Sequence, residues 1–320
     1  MLIYRSFYAV LTLIVFSCSS CARDAKQPAK ESAAAQESFD VCFDRLFGAL
    51  QQAAFAPDHF LPASANKALL KSYPPEDLQL LHADLLERQE ALFAGASKAP
   101  VYVATAGGPA MGKSTILEQF MATSKLRFVY ADPDRASLFY MKNTYLADLK
   151  SNKRDLQGAY TYWRDASNFI ANYILAKALR EGYAVAHGTT MTAPGAIIDK
   201  IFTCLRQVYG RSVHLLHVSC EPTLAKATEE KRRASGVVQC SWEDLENKGK
   251  AFFNRLPHYV KADRIDFYWR DSIDRTISAA SFYQQGARLV VLDKQAWHAI
   301  GALHERMEPG VTAGTVLAGA

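Results

Sequence analysis

The rhythm of hydrophobic positions changes at about residue 100. Between 39 and 98 they recur at helical spacing, interrupted by Pro57, Pro62 and the pair Pro74-Pro75. Leu78, Leu81, Leu85 and Leu86 share one face of a helix predicted from Pro75 to about Gly95, read as a packing element. From Pro100 onward, short apolar runs alternate with longer amphipathic ones. Strands are expected at 101–104, 126–131, 183–186, 213–218, 264–269 and 288–292, and helices at 113–123, 165–181, 194–209 and from 222 to about 234. Gly182 suits a helix stop and Pro194 a first helical turn. Strands alternating with helices at this spacing predict an α/β fold of three layers, a mostly parallel sheet with helices on both faces.

The first residues follow neither rhythm. Arg5 precedes an apolar run from Phe7 to Phe16, broken only by Thr12, and Ser17, Cys18, Ser19, Ser20 and Cys21 follow. A charged start, a short apolar stretch and small residues make a secretory signal, and the run is short for a bilayer span. A cysteine after small residues resembles a lipoprotein signal, with Cys18 or Cys21 as the lipidated residue. Export or lipid anchoring is therefore expected. A cytoplasmic protein with a misassigned start, or a membrane anchor, is the alternative. Residues 22–38 are polar and Ala-rich and read as a flexible tether. The expected organisation is thus a signal-like segment at 1–21, the tether, a helical region at 39–98, a catalytic-type α/β domain at 99–308 and a frayed tail at 309–320.

Composition adds little. The 320 residues suffice for one large α/β domain plus accessory helices. The net charge of +5 suits anionic ligands but is too weak to argue for nucleic acid. Beyond the signal segment, Cys42, Cys204, Cys220 and Cys240 match no zinc or redox spacing and are expected to be buried free thiols.

The strongest chemical signal is Gly107, Gly108, Pro109, Ala110, Met111, Gly112, Lys113, Ser114 and Thr115, which satisfies G-x-x-x-x-G-K-[ST] between a predicted strand and a predicted helix. Glycines let the backbone wrap one phosphate with successive N–H groups, and the helix N-terminus favours its charge. Lys113 would reach the β- and γ-phosphates of ATP or GTP. The Ser114 hydroxyl would bind Mg²⁺, which keeps several waters and needs few protein ligands.

Further candidates stand at the carboxyl ends of the following strands, where open α/β sheets bind ligands. Asp132 and Asp134 end the second strand. Asp134 can serve as the base that phosphoryl transfer to a hydroxyl requires, and Asp132 can orient it or hold the metal's water shell. Helix capping is the alternative for these residues. His187, Gly188, Thr189 and Thr190 end the third strand and can meet an acceptor, or form an ordinary turn around a structural histidine. Arg232 and Arg233 close a helix and enter a Gly-containing loop. They are candidates for a lid that brings positive charge to the transferring phosphate, against the reading of a solvated helix end. The run Arg288 to Asp293 reads as the last core strand, with Asp293 capping the next helix.

In order along the chain, the phosphate loop, Asp132-x-Asp134, Arg180-Glu181-Gly182-Tyr183 leading to His187-Gly188-Thr189, Lys231 to Gly236, and Phe252 to Tyr259 (FFNRLPHY) resemble the zeta-toxin family of P-loop kinases over roughly residues 100–270. The resemblance implies a kinase that uses ATP or GTP to phosphorylate a sugar hydroxyl of UDP-N-acetylglucosamine. It implies Lys113 and Ser114 at phosphate and metal, Asp134 as base, lid arginines on the γ-phosphate, and a protein inhibitor as partner. Two positions depart from the family pattern. His187 stands where a Glu is usual, and Met191 where an Arg is expected. Losing a carboxylate and a guanidinium removes charged hydrogen bonds that discriminate among substrates, so a different acceptor is compatible with the same chemistry. A nucleotide-dependent binding protein or ATPase switch is the competing expectation, and a surface-anchored interaction module without chemistry a third.

Overall fold

The computed structural model describes residues 37–56, 60–235 and 240–309. The signal-like segment, most of the expected tether and nearly all of the expected tail lie outside the described residues.

Three helices come first: α1 (Phe39–Ala54), α2 (Ala63–Leu69) and α3 (Pro75–Phe93). Ser38 caps α1 by accepting from Val41 N–H at 3.4 Å. In α3, Leu78, Leu81 and Leu85 are fully buried, whereas Leu86 is 42% exposed. The apolar face is therefore narrower than its leucines suggest. These helices pack on α6 (Leu156–Arg180), where Phe43 and Phe47 meet the Phe169 ring at 6.3 and 5.1 Å. Residues 39–98 thus share one continuous core with the sheet domain.

That domain is a seven-stranded sheet in the order β2-β3-β1-β4-β5-β6-β7. Strands β1 (Val101–Ala106), β2 (Val129–Ala131), β3 (Val185–His187), β4 (Ser212–Cys220) and β5 (Arg264–Arg270) are parallel, while β6 (Thr276–Tyr283) and β7 (Arg288–Val291) add an antiparallel edge. Between the strands lie α4 (Lys113–Thr123), α5 (Tyr145–Ser151), α7 (Gly195–Gln207), α8 (Pro222–Ala234), α9 (Trp242–Phe253) and the short α10 (Leu256–Tyr259), and α11 (Lys294–Met307) ends the fold. The alternation of β4 makes the layering visible. His214 faces Phe120 of α4, with ring centroids 5.2 Å apart, while His217, three residues on and on the opposite face, packs against Phe252 of α9 and His304 of α11. This is a P-loop α/β fold of three layers.

Three expectations change in detail. The long helix starts at Leu156 rather than Asp165, because Asp155 caps it through Gly158 N–H at 2.7 Å. The run ending in Asp293 is an antiparallel edge strand pairing only with β6, itself an additional strand. Asp293 does cap the helix after it, accepting from Ala296 N–H at 2.9 Å. The second strand spans only three residues. Cys42, Cys204, Cys220 and Cys240 are free and buried. Among the described residues no helix is long and apolar enough to cross a membrane.

Candidate functional site

The carboxyl ends of β1 to β5 lie along one edge of the sheet. After β1, the backbone turns through Gly107 at φ 156°, Ala110 at 59° and Gly112 at 95°. A Cβ on Gly107 would stand 2.7 Å from the Val218 carbonyl oxygen, so only glycine fits between loop and β4. Gly112 is the N-cap of α4 and supplies no side-chain acceptor, which leaves the first-turn N–H groups of Lys113, Ser114 and Thr115 available to an anion.

Arg270, at the end of β5, braces this loop. It is buried and donates to Ala110 O at 2.8 Å, to Thr228 Oγ1 of α8 at 3.1 Å, and to Ser272 O and Ile273 O beyond the strand. One guanidinium therefore ties the phosphate loop to α8 and to the segment after β5. Lys113 Nζ donates to the Gly108 carbonyl at 2.6 Å. Burial, with nearby Arg232 adding to it, brings its pKa down to about 8. An ammonium held this way gains from any phosphate that arrives.

The two aspartates after β2 have separate environments. Asp132 caps the following turn, accepting from Asp134 N–H at 2.8 Å and Arg135 N–H at 2.7 Å. Its other oxygen receives the Tyr130 hydroxyl at 3.3 Å. The carboxylate rests on Gly188 of the loop after β3, where an added Cβ would lie 2.7 Å from Asp132 Cγ. Asp134 is ion-paired with Arg164 of α6. Its side chain remains 19% exposed, within reach of a ligand. Burial raises its pKa above the ordinary carboxylate range. Arg164 opposes that most strongly, Asp132 reinforces it, and the charges of Lys113 and Lys248 oppose it further. The phosphate-loop lysine and a lysine of α9 are therefore both close enough to act on Asp134.

The loop after β3 is fastened to β1. Thr105 Oγ1 donates to Thr189 O at 2.6 Å and accepts from Thr189 N–H at 3.0 Å, and Gly107 N–H donates to Thr190 O at 3.1 Å. His187 Nδ1 shares a 2.6 Å hydrogen bond with the Tyr102 hydroxyl. Burial lowers its pKa to about 4, so the ring is neutral near pH 7. Met191 is buried with φ at 52°, and its carbonyl accepts from Tyr259 at 2.8 Å. His187, Thr189, Thr190 and Met191 line a cavity of about 470 Å³ that α9 closes from the other side.

A second cavity, of about 440 Å³, lies at the phosphate loop against Gly112, Thr115, Gln119, Arg232, Arg270 and Arg275. The two arginines expected in a lid divide here. Arg232 faces this cavity. Arg233 turns away, paired with the buried Glu229 at 3.1 Å, bonded to Cys240 O and stacked 4.6 Å over Trp242. Lys113 thus lies within electrostatic range of Asp134 and Arg232, whereas His187 and Thr189 line the other cavity. Asp132 holds the backbone of the turn after β2, and Arg233 ties the end of α8 to Cys240.

Ser114 is the hydroxyl beside Lys113 at the start of α4. Among the described residues no cluster of three or more His, Cys, Asp or Glu is placed to hold a metal. A single hydroxyl together with phosphate oxygens is a donor set that fits Mg²⁺. Arg164, Arg270 and Lys248 carry no motif in the sequence. Only the position of Arg270 at the end of a predicted strand offered a signal.

Neither a protein-family model nor a curated protein matches the chain. Solved structures of similar fold include one from the PezAT chromosomal toxin–antitoxin system of Streptococcus pneumoniae, with 18% identity over 60% of this chain and 78% of that chain and a TM-score of 0.46. Another is AvrRxo1-ORF1:AvrRxo1-ORF2 with ATP, with 14% identity over 90% of this chain and 81% of that chain and a TM-score of 0.48. The same complex with sulphate ions matches at 14% identity over 83% and 78% of the two chains, with a TM-score of 0.47.

Proposed function

We propose that the chain is a phosphotransferase that moves the γ-phosphate of ATP or GTP to a hydroxyl of a small molecule. The observation that carries this reading is the position of Asp134. It is a carboxylate 19% exposed, paired with Arg164 and in the field of the phosphate-loop lysine. A binding protein or switch needs the phosphate loop but has no use for a base beside it.

In this reading the nucleotide occupies the arginine-lined cavity, and its phosphates replace the Gly108 carbonyl as partner of Lys113. The acceptor occupies the cavity at His187 and Thr189. Its hydroxyl oxygen bonds to the γ-phosphorus as the bond from that phosphorus to the β,γ-bridging oxygen breaks. The electron pair leaves with the nucleoside diphosphate, and Asp134 takes the hydroxyl proton. Arg232 and Lys113 offset charge on the transferring group. Mg²⁺, held through Ser114, would neutralise the β- and γ-oxygens when bound. Asp132 fixes the turn that carries Asp134.

The test is nucleotide consumption by the full-length chain with Mg²⁺ and hydroxyl acceptors, UDP-N-acetylglucosamine among them. Acceptor-dependent diphosphate release should vanish in both Lys113→Ala and Asp134→Asn, while Asp134→Asn still binds nucleotide. A switch would keep its turnover in Asp134→Asn. Residues 1–21 add a proposal of export with lipid anchoring at Cys18 or Cys21. Labelled palmitate should enter the chain and be lost on one of the substitutions Cys18→Ser and Cys21→Ser. A protein inhibitor is a further proposal from the resemblance, to be sought by co-purification with the full chain.

A further inference from the structure

His187 has an alanine on either side of it in the sheet. In register, Ala104 of β1 and Ala131 of β2 stand opposite it, and neither fills the space beside its ring. Tyr102, two residues before Ala104, faces the same side of the sheet, so its ring reaches into that space. The two rings meet edge to face with centroids 5.9 Å apart and share the 2.6 Å bond between the Tyr102 hydroxyl and Nδ1.

The direction of that bond follows from counting protons. Tyr102 is fully buried, and its hydroxyl has no other partner among the described residues. A hydroxyl carries one hydrogen, and a buried donor left unused is costly. If Nδ1 carried the ring proton, the Tyr102 hydrogen would have no protein acceptor. Tyr102 therefore donates, Nδ1 accepts with its lone pair, and the one proton of the neutral ring sits on Nε2. Burial brings the ring's pKa down to about 4, so this neutral form holds near neutral pH. Nε2 has no hydrogen-bond partner among the described residues, and the ring lines the 470 Å³ cavity beside Thr189 and Thr190.

Resting on the phosphotransfer reading above, we infer that His187 is a specificity-determining residue that donates Nε2–H to a lone pair on the acceptor compound, and that Tyr102 is the positioning residue that fixes the proton there. The ring then reads an oxygen or nitrogen lone pair, such as a carbonyl oxygen or an unprotonated ring nitrogen. It does not serve as a base, because the nitrogen with the free lone pair is occupied by Tyr102. A carboxylate in its place would only accept, and would select the opposite polarity. The hydroxyls of Thr189 and Thr190 can donate or accept, so the directional choice falls to His187. A ligand with no lone pair at that point leaves the N–H unpaired, the kind of loss by which polar sites reject analogues.

The experiment has two arms, both on the full-length chain. In the first, histidine labelled with nitrogen-15 is observed by long-range proton–nitrogen correlation near neutral pH without nucleotide, and the His187 signals are identified by their loss in His187→Gln. Wild type should show a protonated Nε2 and a lone pair on Nδ1, and Tyr102→Phe a mixture of tautomers. A proton on Nδ1 in wild type, or a pattern that Tyr102→Phe leaves unchanged, would overturn the inference. In the second arm, label is transferred from γ-labelled ATP with Mg²⁺ into an aqueous metabolite extract that serves as the acceptor probe, with nucleotide binding as the control for folding. His187→Gln keeps an N–H donor near the Nε2 position and should retain transfer within about tenfold, while His187→Glu should lose about 100-fold. Tyr102→Phe should raise the half-saturating extract concentration about tenfold with the plateau nearly unchanged. Transfer by His187→Glu equal to wild type, or equal loss in His187→Glu and His187→Gln with nucleotide binding intact, would overturn the inference and leave the phosphotransfer reading standing. Absence of transfer by wild type would overturn both.

Discussion

Gly188→Ala tests whether the turn that carries Asp134 is held as described. The glycine lies beneath the Asp132 carboxylate, and an added Cβ would stand 2.7 Å from Asp132 Cγ and 2.9 Å from its Cβ. Both are backbone-proximal atoms without a free rotor to absorb the contact. Asp132 must move, and with it go the bonds to Asp134 N–H and Arg135 N–H. Losing the cap costs about 1 kcal/mol, and overpacking a closed contact adds about 1–3 kcal/mol. The sum of about 2–4 kcal/mol predicts a fall in Tm of roughly 5–10 °C for a domain of this size. Turnover should drop about 100-fold if Asp134 shifts by about 1 Å. The decisive comparison is a double-mutant cycle with Asp132→Gly, which removes the obstructing side chain. In that background Gly188→Ala should cost less than about 1 kcal/mol in chemical denaturation, giving a coupling of about 1–3 kcal/mol. Equal cost in both backgrounds would refute the reasoning, because the glycine would then serve something other than the carboxylate.

Four other outcomes follow from the same geometry. Arg164→Gln removes the strongest influence holding down the Asp134 pKa. The base then needs a higher pH to ionise, so the acid limb of the kcat/KM profile should move upward, and Arg164→Lys should restore much of it. Arg232→Ala should lower kcat by roughly 100-fold or more, with a smaller loss of stability than Arg233→Ala because its ion pair with Glu229 is the longer one, at 3.9 Å. Arg233→Ala should instead lower stability by about 2 kcal/mol, since Glu229 is fully buried and loses its closest partner. In the nucleotide-free chain Lys113 loses its proton at about pH 8. Below that pH the ammonium is present for phosphate, and above it nucleotide binding must draw in a proton. Titration calorimetry at about pH 9 in buffers of different ionisation enthalpy should show that uptake in wild type and not in Lys113→Met.

The sheet and the phosphate loop were legible because their signals are local. Glycine spacing, a strand before and a helix after occupy about twenty consecutive residues. The division of labour at the site was not legible, because it depends on which way neighbouring side chains turn. Asp132 and Asp134 are the same residue type two positions apart. One meets a turn's N–H groups and the other a guanidinium from α6. Arg232 and Arg233 diverge for a similar reason, since Glu229, buried one turn earlier, holds Arg233 in the lid. Strand β6 escaped notice because its sequence, TISAASFY, is rich in small residues and follows no clean alternation. Ala279 and Ala280 are fully buried there, with α11 packed against the strand. The edge strand β7 misled in the other direction. It is apolar in sequence, yet Val291 and the following Leu292 are 39% and 58% exposed.

Helix α6 joins two regions that the sequence separates. Trp163 is stacked on Tyr73, with ring centroids 5.4 Å apart, and its indole N–H donates to Asp148 at 2.8 Å. Arg164, the next residue, carries the ion pair to Asp134. The turn of α6 that presents Arg164 is thus located by Tyr73, between α2 and α3, and by Asp148 of α5. Slippage there would register at the base before the sheet felt it. On gradual warming, the pH profile would lose its shape while far-ultraviolet circular dichroism still reported an intact fold. Residues 39–98 would then act as the mounting of a catalytic group.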